Sequence, residues 1–224
     1  MTDFMQNPES GVDCRRKLID EAARWVREYF HKTAGAACFF HNYQHTWDTV
    51  VAGRKIAKGM QVGEAELEIL TVACWFHDIA WFPSYADHEE RSAETAAGFL
   101  RRHRVGQNRI DAVKNCILAT RYPPHPVSLL EKIICDADVS HLGMKNYYEK
   151  NLLLRQELEV NMGKTYSDAE WLTMNRDFFL QHRYFTSYAR RLYGRRKQKN
   201  LETILELLAG DEVVSPDCGG IGWM

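Results

Sequence analysis

Three short polar clusters interrupt the most apolar stretches of this 224-residue sequence. They are His41 and His45 in FFHNYQHTW, His77 and Asp78 in ACWFHDIAWF, and Asp136 and Asp138 in KIICDADVSHLG. An ionised carboxylate among apolar neighbours is unfavourable unless a cation compensates it. Imidazole nitrogens and carboxylate oxygens together suit Mn, Fe, Co, Ni or Zn better than Ca or Mg. The clusters therefore predict a divalent transition-metal site, which holds one ion or two.

The first cluster is not a protease signature. His41 and His45 are four residues apart, but no Glu follows His41, so the pattern is not the His-Glu-x-x-His of metalloproteases.

The segments around these clusters have the spacing of amphipathic helices. Caps at Ser10, Asn108, Ser128 and Ser167 mark several of their starts. The pattern predicts helices from Ser10, after HNYQH to Met60, over 64–81, 89–104, 108–121, from Ser128, over 146–161, from Ser167, and over 186–208. Because no alternating run of β-branched residues indicates a sheet, the predicted class is all-α.

Composition limits the partners and the setting. Lys and Arg number 29 against 30 Asp and Glu, a net charge of -1, which argues against nucleic acid as a partner. No stretch is apolar enough to span a bilayer, so we predict a cytoplasmic protein without a membrane partner. Six cysteines without a Cys-x-x-Cys pair argue against a thiolate zinc site or a disulfide scaffold. The length predicts one domain, 1–209, with its metal core at about 38–145, C-terminal helices over 146–209 and an irregular tail over 210–224.

The ordered series His45, His77-Asp78, Asp138 resembles the HD superfamily of metal-dependent phosphohydrolases. Further segments are similar to one largely uncharacterised bacterial subgroup, in which Phe40 stands where Tyr is usual and His88 where Asn is usual. These segments are FHNYQH, HEERSAE, ILAT, DADVSHLG, LRQEL and FTSYARRLYGRRKQKNL. The resemblance covers roughly residues 38–208.

The resemblance implies an HD-domain helical bundle that holds one metal through His45, His77, Asp78 and Asp138. It implies a phosphohydrolase whose substrate is a small phosphorylated molecule, with a nucleotide as the expected class. Because a carboxylate has two oxygens, Asp78 is also a candidate bridge to a second ion. The candidate ligands of that ion are His88 and His125.

Other residues are candidates for catalysis and substrate binding. Asp78 is also a candidate catalytic residue. Glu89 or Glu90 would relay a proton to water or to a leaving group, although acidic residues are also favoured in the first turn of any helix. His41, Arg121 and Arg155 are candidate substrate contacts, the arginines because a guanidinium offers a planar fork of donors to phosphate.

Two alternative functions stay open. His88 motivates a two-iron oxygenase of the same fold. A non-catalytic, metal-stabilised ligand-binding module is the other alternative, because the segment after His-Asp reads IAWFPS and lacks the Glu-Asp pair of alarmone hydrolases. The sequence does not decide whether the protein forms a homo-oligomer.

Overall fold

The computed structural model describes residues 8–33, 38–82 and 85–213. Within these ranges the chain forms nine α-helices and a short 3-10 helix, without any strand, which confirms the predicted all-α class. The α-helices are α1 Pro8–Thr33, α2 Tyr43–Gly59, α3 Glu64–Phe76, α4 His88–Arg102, α5 Gln107–Leu118, α6 Leu129–Asp138, α7 Tyr147–Met162, α8 Asp168–Gln181 and α9 Ser187–Val213. The 3-10 helix, Val139–Gly143, directly follows α6.

Two capping predictions are confirmed. The hydroxyl of Ser128 accepts a hydrogen bond from the backbone N–H of Glu131, and the Glu131 carboxylate accepts one from the Ser128 backbone. Ser167 and Glu170 make the same reciprocal pair at the start of α8. These capping boxes satisfy backbone donors that a helix start leaves without an intrahelical partner.

Several predicted helix bounds are wrong. Helix α3 ends at Phe76 rather than at residue 81, and the chain turns through His77 to Ala80. Helix α5 begins after Gly106, so Asn108 lies inside it and does not cap it. Helix α1 already begins at Pro8, ahead of Ser10, and proline is well tolerated in a first helical turn.

The predicted tail from residue 210 is also wrong in part. Helix α9 continues to Val213, and residues 214–224 lie outside the described residues. No described helix is long and apolar enough to cross a membrane. The division into one domain with a metal core and C-terminal helices stays a prediction.

Helix α3 is the centre of the main core. It packs against α1, α2, α4, α5 and α6, and from Leu70 to Phe76 its residues are buried without interruption. A helix that is apolar on every side must be surrounded by other helices. Helix α2 approaches it closely at Gly53, where a Cβ atom would lie 2.9 Å from Cys74 Sγ and 3.6 Å from Ala137 Cβ. This glycine therefore lets α2 pack against both α3 and α6.

A smaller apolar cluster joins the 3-10 helix to the C-terminal helices. Its buried residues are Leu142, Tyr147, Phe179, Leu201 and Ile204. The start of α9 is fixed to α6 by Asp136, whose carboxylate accepts hydrogen bonds from Phe185 N at 2.6 Å, Thr186 N at 2.8 Å and Thr186 Oγ1 at 2.7 Å. The Asp136 side chain therefore holds the start of α9 against α6.

Candidate metal centre

Three helix ends meet at one point beside the core. His45 lies in the first turn of α2, His77 and Asp78 directly follow α3, and Asp138 is the last residue of α6. Asn42 sets the start of α2, because its Oδ1 accepts hydrogen bonds from Gln44 N at 2.8 Å and His45 N at 3.1 Å. The HNYQH segment therefore begins the helix in the register that turns His45 inward.

The turn after α3 is held by α4. Ser92 Oγ accepts a hydrogen bond from Ala80 N at 3.1 Å, and a guanidinium nitrogen of Arg91 donates to Ala80 O at 2.9 Å. These bonds satisfy backbone groups that would otherwise be unpaired where the helix ends. The HEERSAE segment thus fixes the loop that carries His77 and Asp78.

One ligand atom from each of four side chains lies within 4.8 Å of the other three, in the cluster His45, His77, Asp78 and Asp138. His45 Nε2 is 3.3 Å from Asp78 Oδ2 and 3.1 Å from Asp138 Oδ1. His77 Nε2 is 3.0 Å and 3.4 Å from the same two oxygens. Ligands of one transition ion, each about 2.0–2.2 Å from it, have separations of this size.

The orientation of His77 supports a metal ion in this cluster. Its Nδ1–H donates to Cys74 O at 3.0 Å, which leaves the lone pair on Nε2. That Nε2 lies 3.3 Å from His45 Nε2. A backbone carbonyl that fixes the tautomer in this way is typical of a metal-ligating histidine. The donors present therefore fit a divalent transition ion.

Charges in the cluster favour a cation. Burial by itself lowers the pKa of His77, but Asp78 and Asp138 together raise it well above its ordinary value. Burial raises the pKa of Asp78, and the charge of His77 with hydrogen bonds from the neighbouring imidazoles holds it well below the ordinary value. The buried carboxylate of Asp78 and the half-buried one of Asp138 thus attract positive charge, and a metal must compete with protons for the site.

Two cavities open beside the cluster. The Asp138 side chain is 24% exposed, against 6% or less for the other three, and it lines both cavities. The larger cavity has a volume of about 560 Å³ and the smaller about 470 Å³. A small molecule in either cavity would reach the cluster from its Asp138 side.

His88 lies against the other oxygen of Asp78. Its Nδ1–H donates to Tyr85 O at 3.0 Å, and its Nε2 is 3.4 Å from Asp78 Oδ1. Glu89 is buried, with Oε2 3.4 Å from His88 Nδ1. The structure therefore places His88 beside Asp78 and Glu89 beside His88. Their roles in catalysis and a second ion stay predictions.

His41 is held beside the cluster by a residue that the sequence did not indicate. Its Nδ1–H donates to Glu157 Oε1, and Glu157 Oε2 accepts hydrogen bonds from the backbone N–H groups of Phe40 at 2.8 Å and His41 at 2.9 Å. The imidazole stacks on Trp81 with ring centroids 3.4 Å apart, and its Nε2 lies 4.0 Å from Asp78 Oδ2. Glu157 belongs to the LRQEL segment, in which the sequence indicated Arg155 and not this carboxylate.

Other predicted site residues lie elsewhere or have other partners. Arg155 contacts Glu159, Asp168 and the carbonyl of Tyr166 and does not line either cavity. His125 is exposed and does not belong to the cluster.

The guanidinium of Arg121 forms ion pairs with acidic side chains. It contacts Glu90 and lies 3.3 Å from Asp87 and 3.8 Å from Glu89. Arg121 thus has acidic partners in this structure, and its role as a phosphate contact stays a prediction.

Comparison with known proteins gives a family match over the centre of the chain. Residues 42–143 match the model of the HD domain, and this interval contains all four residues of the cluster. None of the curated proteins matches the chain.

Several solved structures share the fold. A predicted HD superfamily hydrolase from an uncultured Thermotogales bacterium is 23% identical, with 85% of this chain and 91% of that chain covered and a TM-score of 0.57. Bacillus subtilis YpgQ in complex with ADP is 17% identical, with 91% and 98% covered and a TM-score of 0.60. A Lactobacillus plantarum protein is 15% identical, with 88% and 98% covered and a TM-score of 0.66. At these identities the likeness concerns the fold alone.

Proposed function

Since residues 42–143 place the chain in the HD superfamily, we propose that it is a metal-dependent phosphohydrolase acting on a small phosphorylated molecule, with a nucleotide as the expected class. The observation that carries this proposal is the cluster of two imidazole and two carboxylate ligands within 4.8 Å of one another. A divalent ion held by His45, His77, Asp78 and Asp138 would polarise a phosphoryl oxygen and supply a water of lowered pKa. The remaining tasks belong to the protein's own side chains.

His41 is the best-placed group to move a proton. Glu157 holds its Nδ1–H and Trp81 covers its ring, so that only Nε2 is directed toward the cluster and the larger cavity. We assign His41 as the donor of a proton to the oxygen of the leaving alcohol. An imidazole oriented by a carboxylate is a common arrangement for general acid–base catalysis.

Glu89 and Glu90 differ in their surroundings. Glu90 contacts the exposed Arg121, whereas Glu89 is buried beside His88. We therefore retain Glu89 as a candidate to orient His88 and to accept a proton near Asp78. Glu90 keeps only a surface role in this proposal.

A two-iron oxygenase is the second candidate, and one observation favours it. His88 Nε2 lies 3.4 Å from Asp78 Oδ1, while Asp78 Oδ2 contacts His45 and His77. The two oxygens of Asp78 thus have separate imidazole partners, as in a carboxylate that bridges two ions. The sequence suggested His88 and His125 as ligands of a second ion. Of these two, His125 is exposed and lies outside the cluster.

Metal analysis combined with phosphate release tests the proposal. The purified protein is expected to carry about one divalent ion per chain and to release phosphate from a nucleotide panel. His77→Ala should lose both properties, and His31→Ala, which changes an exposed histidine outside the cluster, should keep both. Full activity in His77→Ala would refute the proposal. About two iron ions per chain with oxygen consumption would favour the oxygenase.

A further inference from the structure

The larger cavity beside Asp138 is lined mainly by aromatic and aliphatic side chains, which suit an uncharged, flat group. Its volume is about 560 Å³, within the usual size range of small-molecule sites. Six aromatic side chains line it, namely Phe40, Tyr85, Tyr122, Tyr147, Trp171 and Phe178. Leu142, Leu154, Leu158 and Met174 supply further apolar surface. Such walls favour apolar and aromatic groups, because their burial removes apolar surface from water.

Cationic side chains are scarce around both cavities. Among the described residues that line them, Arg183 is the only Lys or Arg, and it is exposed in the wall of the smaller cavity. The larger cavity instead contains the carboxylates of Asp138 and Asp177. Proteins that bind di- and triphosphates usually surround them with Arg, Lys and metal ions. Beyond the ion at the cluster and the imidazole of His41, which the proposed reaction uses at the leaving alcohol, the described lining of this cavity has no cationic partner for a second phosphate.

Neutral hydrogen-bonding groups are present in place of cations. Tyr147 Oη and Asn151 Nδ2 both donate to Asn175 Oδ1, at 2.7 Å and 2.6 Å. Trp171 Nε1 donates to Asn151 Oδ1 at 2.6 Å. Since an amide nitrogen carries two N–H groups, Asn151 keeps a further donor beside this network. The wall can therefore recognise an acceptor on a neutral ligand without adding charge.

From this distribution we infer that the substrate is a phosphomonoester whose alcohol is bulky, flat and uncharged, rather than a di- or triphosphate. The inference rests on the proposed function, because it takes the single phosphate to lie at the metal cluster. The alcohol then occupies the larger cavity, between its aromatic walls and the Asn151–Asn175 network. An ion held at the cluster would be the cationic partner of the phosphate, and the rest of the molecule carries no negative charge.

Binding measured by calorimetry tests this assignment with two matched pairs of probes on the full chain loaded with Mn²⁺. 1-Naphthyl phosphate and methyl phosphate share the phosphate and differ in the size of the alcohol, whereas AMP and ADP share the alcohol and differ by one phosphate. We expect 1-naphthyl phosphate to bind at least about tenfold more tightly than methyl phosphate, because it buries an aromatic ring system. We expect ADP to bind no more tightly than AMP. Tighter binding of ADP, or equal binding of the two esters, would overturn the inference.

A cation placed in the cavity wall provides a second test. Met174→Lys adds a charge to the larger cavity, and Leu180→Lys adds one to an exposed position of the same helix, α8, that lines neither cavity. Met174→Lys should raise the affinity for ADP relative to AMP several-fold, and it should weaken the binding of 1-naphthyl phosphate. Leu180→Lys should change neither the ADP-to-AMP affinity ratio nor the binding of 1-naphthyl phosphate. An unchanged ratio in a folded Met174→Lys protein would contradict the assignment.

The two proposals fail in different ways. If 1-naphthyl phosphate binds as expected but no compound releases phosphate, the pocket assignment stands and the phosphohydrolase is refuted. If phosphate is released most rapidly from di- or triphosphates that also bind more tightly, the activity stands and the substrate class is overturned.

Discussion

Individual side chains at the cluster have partners that assign them different tasks. His77 has its tautomer fixed by a backbone carbonyl, and His41 has its ring fixed by a carboxylate. The first arrangement leaves a lone pair for a metal, and the second leaves Nε2 free to exchange a proton. Because their Nδ1 partners differ, we propose different chemistry for these two neighbouring histidines.

The His41–Glu157 pair gives a prediction about catalysis. His41→Gln should lower kcat about 10²-fold or more with little change in KM, because general acid catalysis contributes on this scale. The loss should be much smaller for 4-nitrophenyl phosphate, since its leaving group needs no proton. Steady-state kinetics with an alkyl and an aryl ester measures both effects.

Glu157→Gln separates positioning from direct catalysis. It keeps the size of the side chain and should lower kcat less than His41→Gln does, while it shifts the pH profile of kcat. Burial raises the pKa of Glu157, but hydrogen bonds from His41 and from backbone N–H groups lower it below its ordinary value. An unaltered pH profile in a folded Glu157→Gln protein would exclude the positioning role.

His182 gives a prediction about acid stability. Burial, with the nearby charge of Lys197, lowers the pKa of His182 to about 4. A histidine with a lowered pKa is neutral in the folded protein, so its contribution to stability is present above about pH 6.5 and is lost as the pH falls toward 4. Between pH 7 and pH 4.5, the free energy of unfolding of His182→Gln should therefore fall by about 1–2 kcal/mol less than that of the wild type.

Urea unfolding of the metal-free protein at the two pH values measures this difference. Metal-free protein is needed because acid also competes with metal for the cluster. Equal losses of stability in the wild type and in His182→Gln would contradict the assignment.

At the scale of elements, the cluster depends on helix ends and on close helix packing. Its ligands come from the start of α2, the turn after α3 and the end of α6. The 3-10 helix that follows Asp138 packs against α9 at Gly143, where a Cβ would lie 2.5–2.9 Å from Cβ, O and Cα of Tyr193. Two of these three atoms belong to the backbone, so the contact has little freedom to adjust.

Gly143→Ala should therefore destabilise the protein by about 1–3 kcal/mol, the usual cost of overpacking. Gly194→Ala is the matched control, because nothing lies within 4 Å of the added Cβ and alanine favours a helix. Chemical denaturation should show a loss of stability for the first variant and no loss for the second. Equal stability of the two variants would show that α9 can move away from the 3-10 helix.

At the scale of the whole molecule, the cluster joins helices that are distant in sequence. An ion at the cluster would bind α2, the turn after α3 and α6 at once, and it would bind the folded chain more tightly than the unfolded one. Ligands that prefer the native state raise its stability. The metal centre is thus expected to support the bundle as well as the reaction.

Removal of metal should lower Tm by several degrees, and added Mn²⁺ or Zn²⁺ should restore it. Thermal unfolding before and after chelation measures the shift, with Asp138→Asn as the comparison, since this variant should respond less to chelation. The same Tm with and without chelator in metal-loaded wild type would argue against an ion at the cluster.

The sequence by itself determined the helical class, the helix starts at Ser128 and Ser167, and the four residues that form the cluster. These features depend on local spacing, or on a series of residues whose order resembles a known family, and both can be seen without coordinates. The end of α3 at Phe76 could not be predicted, because apolar periodicity continues through Ile79, Ala80 and Trp81.

Only the tertiary structure decided which polar groups meet. Glu157 lies 116 residues from His41, and no local pattern connects them. The acidic partners of Arg155 and Arg121 likewise depend on how loops and helices pack, and nothing in the sequence indicated that these two arginines form ion pairs. A sequence shows which side chains can bind a metal or exchange a proton, whereas the packing of helices determines their neighbours and therefore their task.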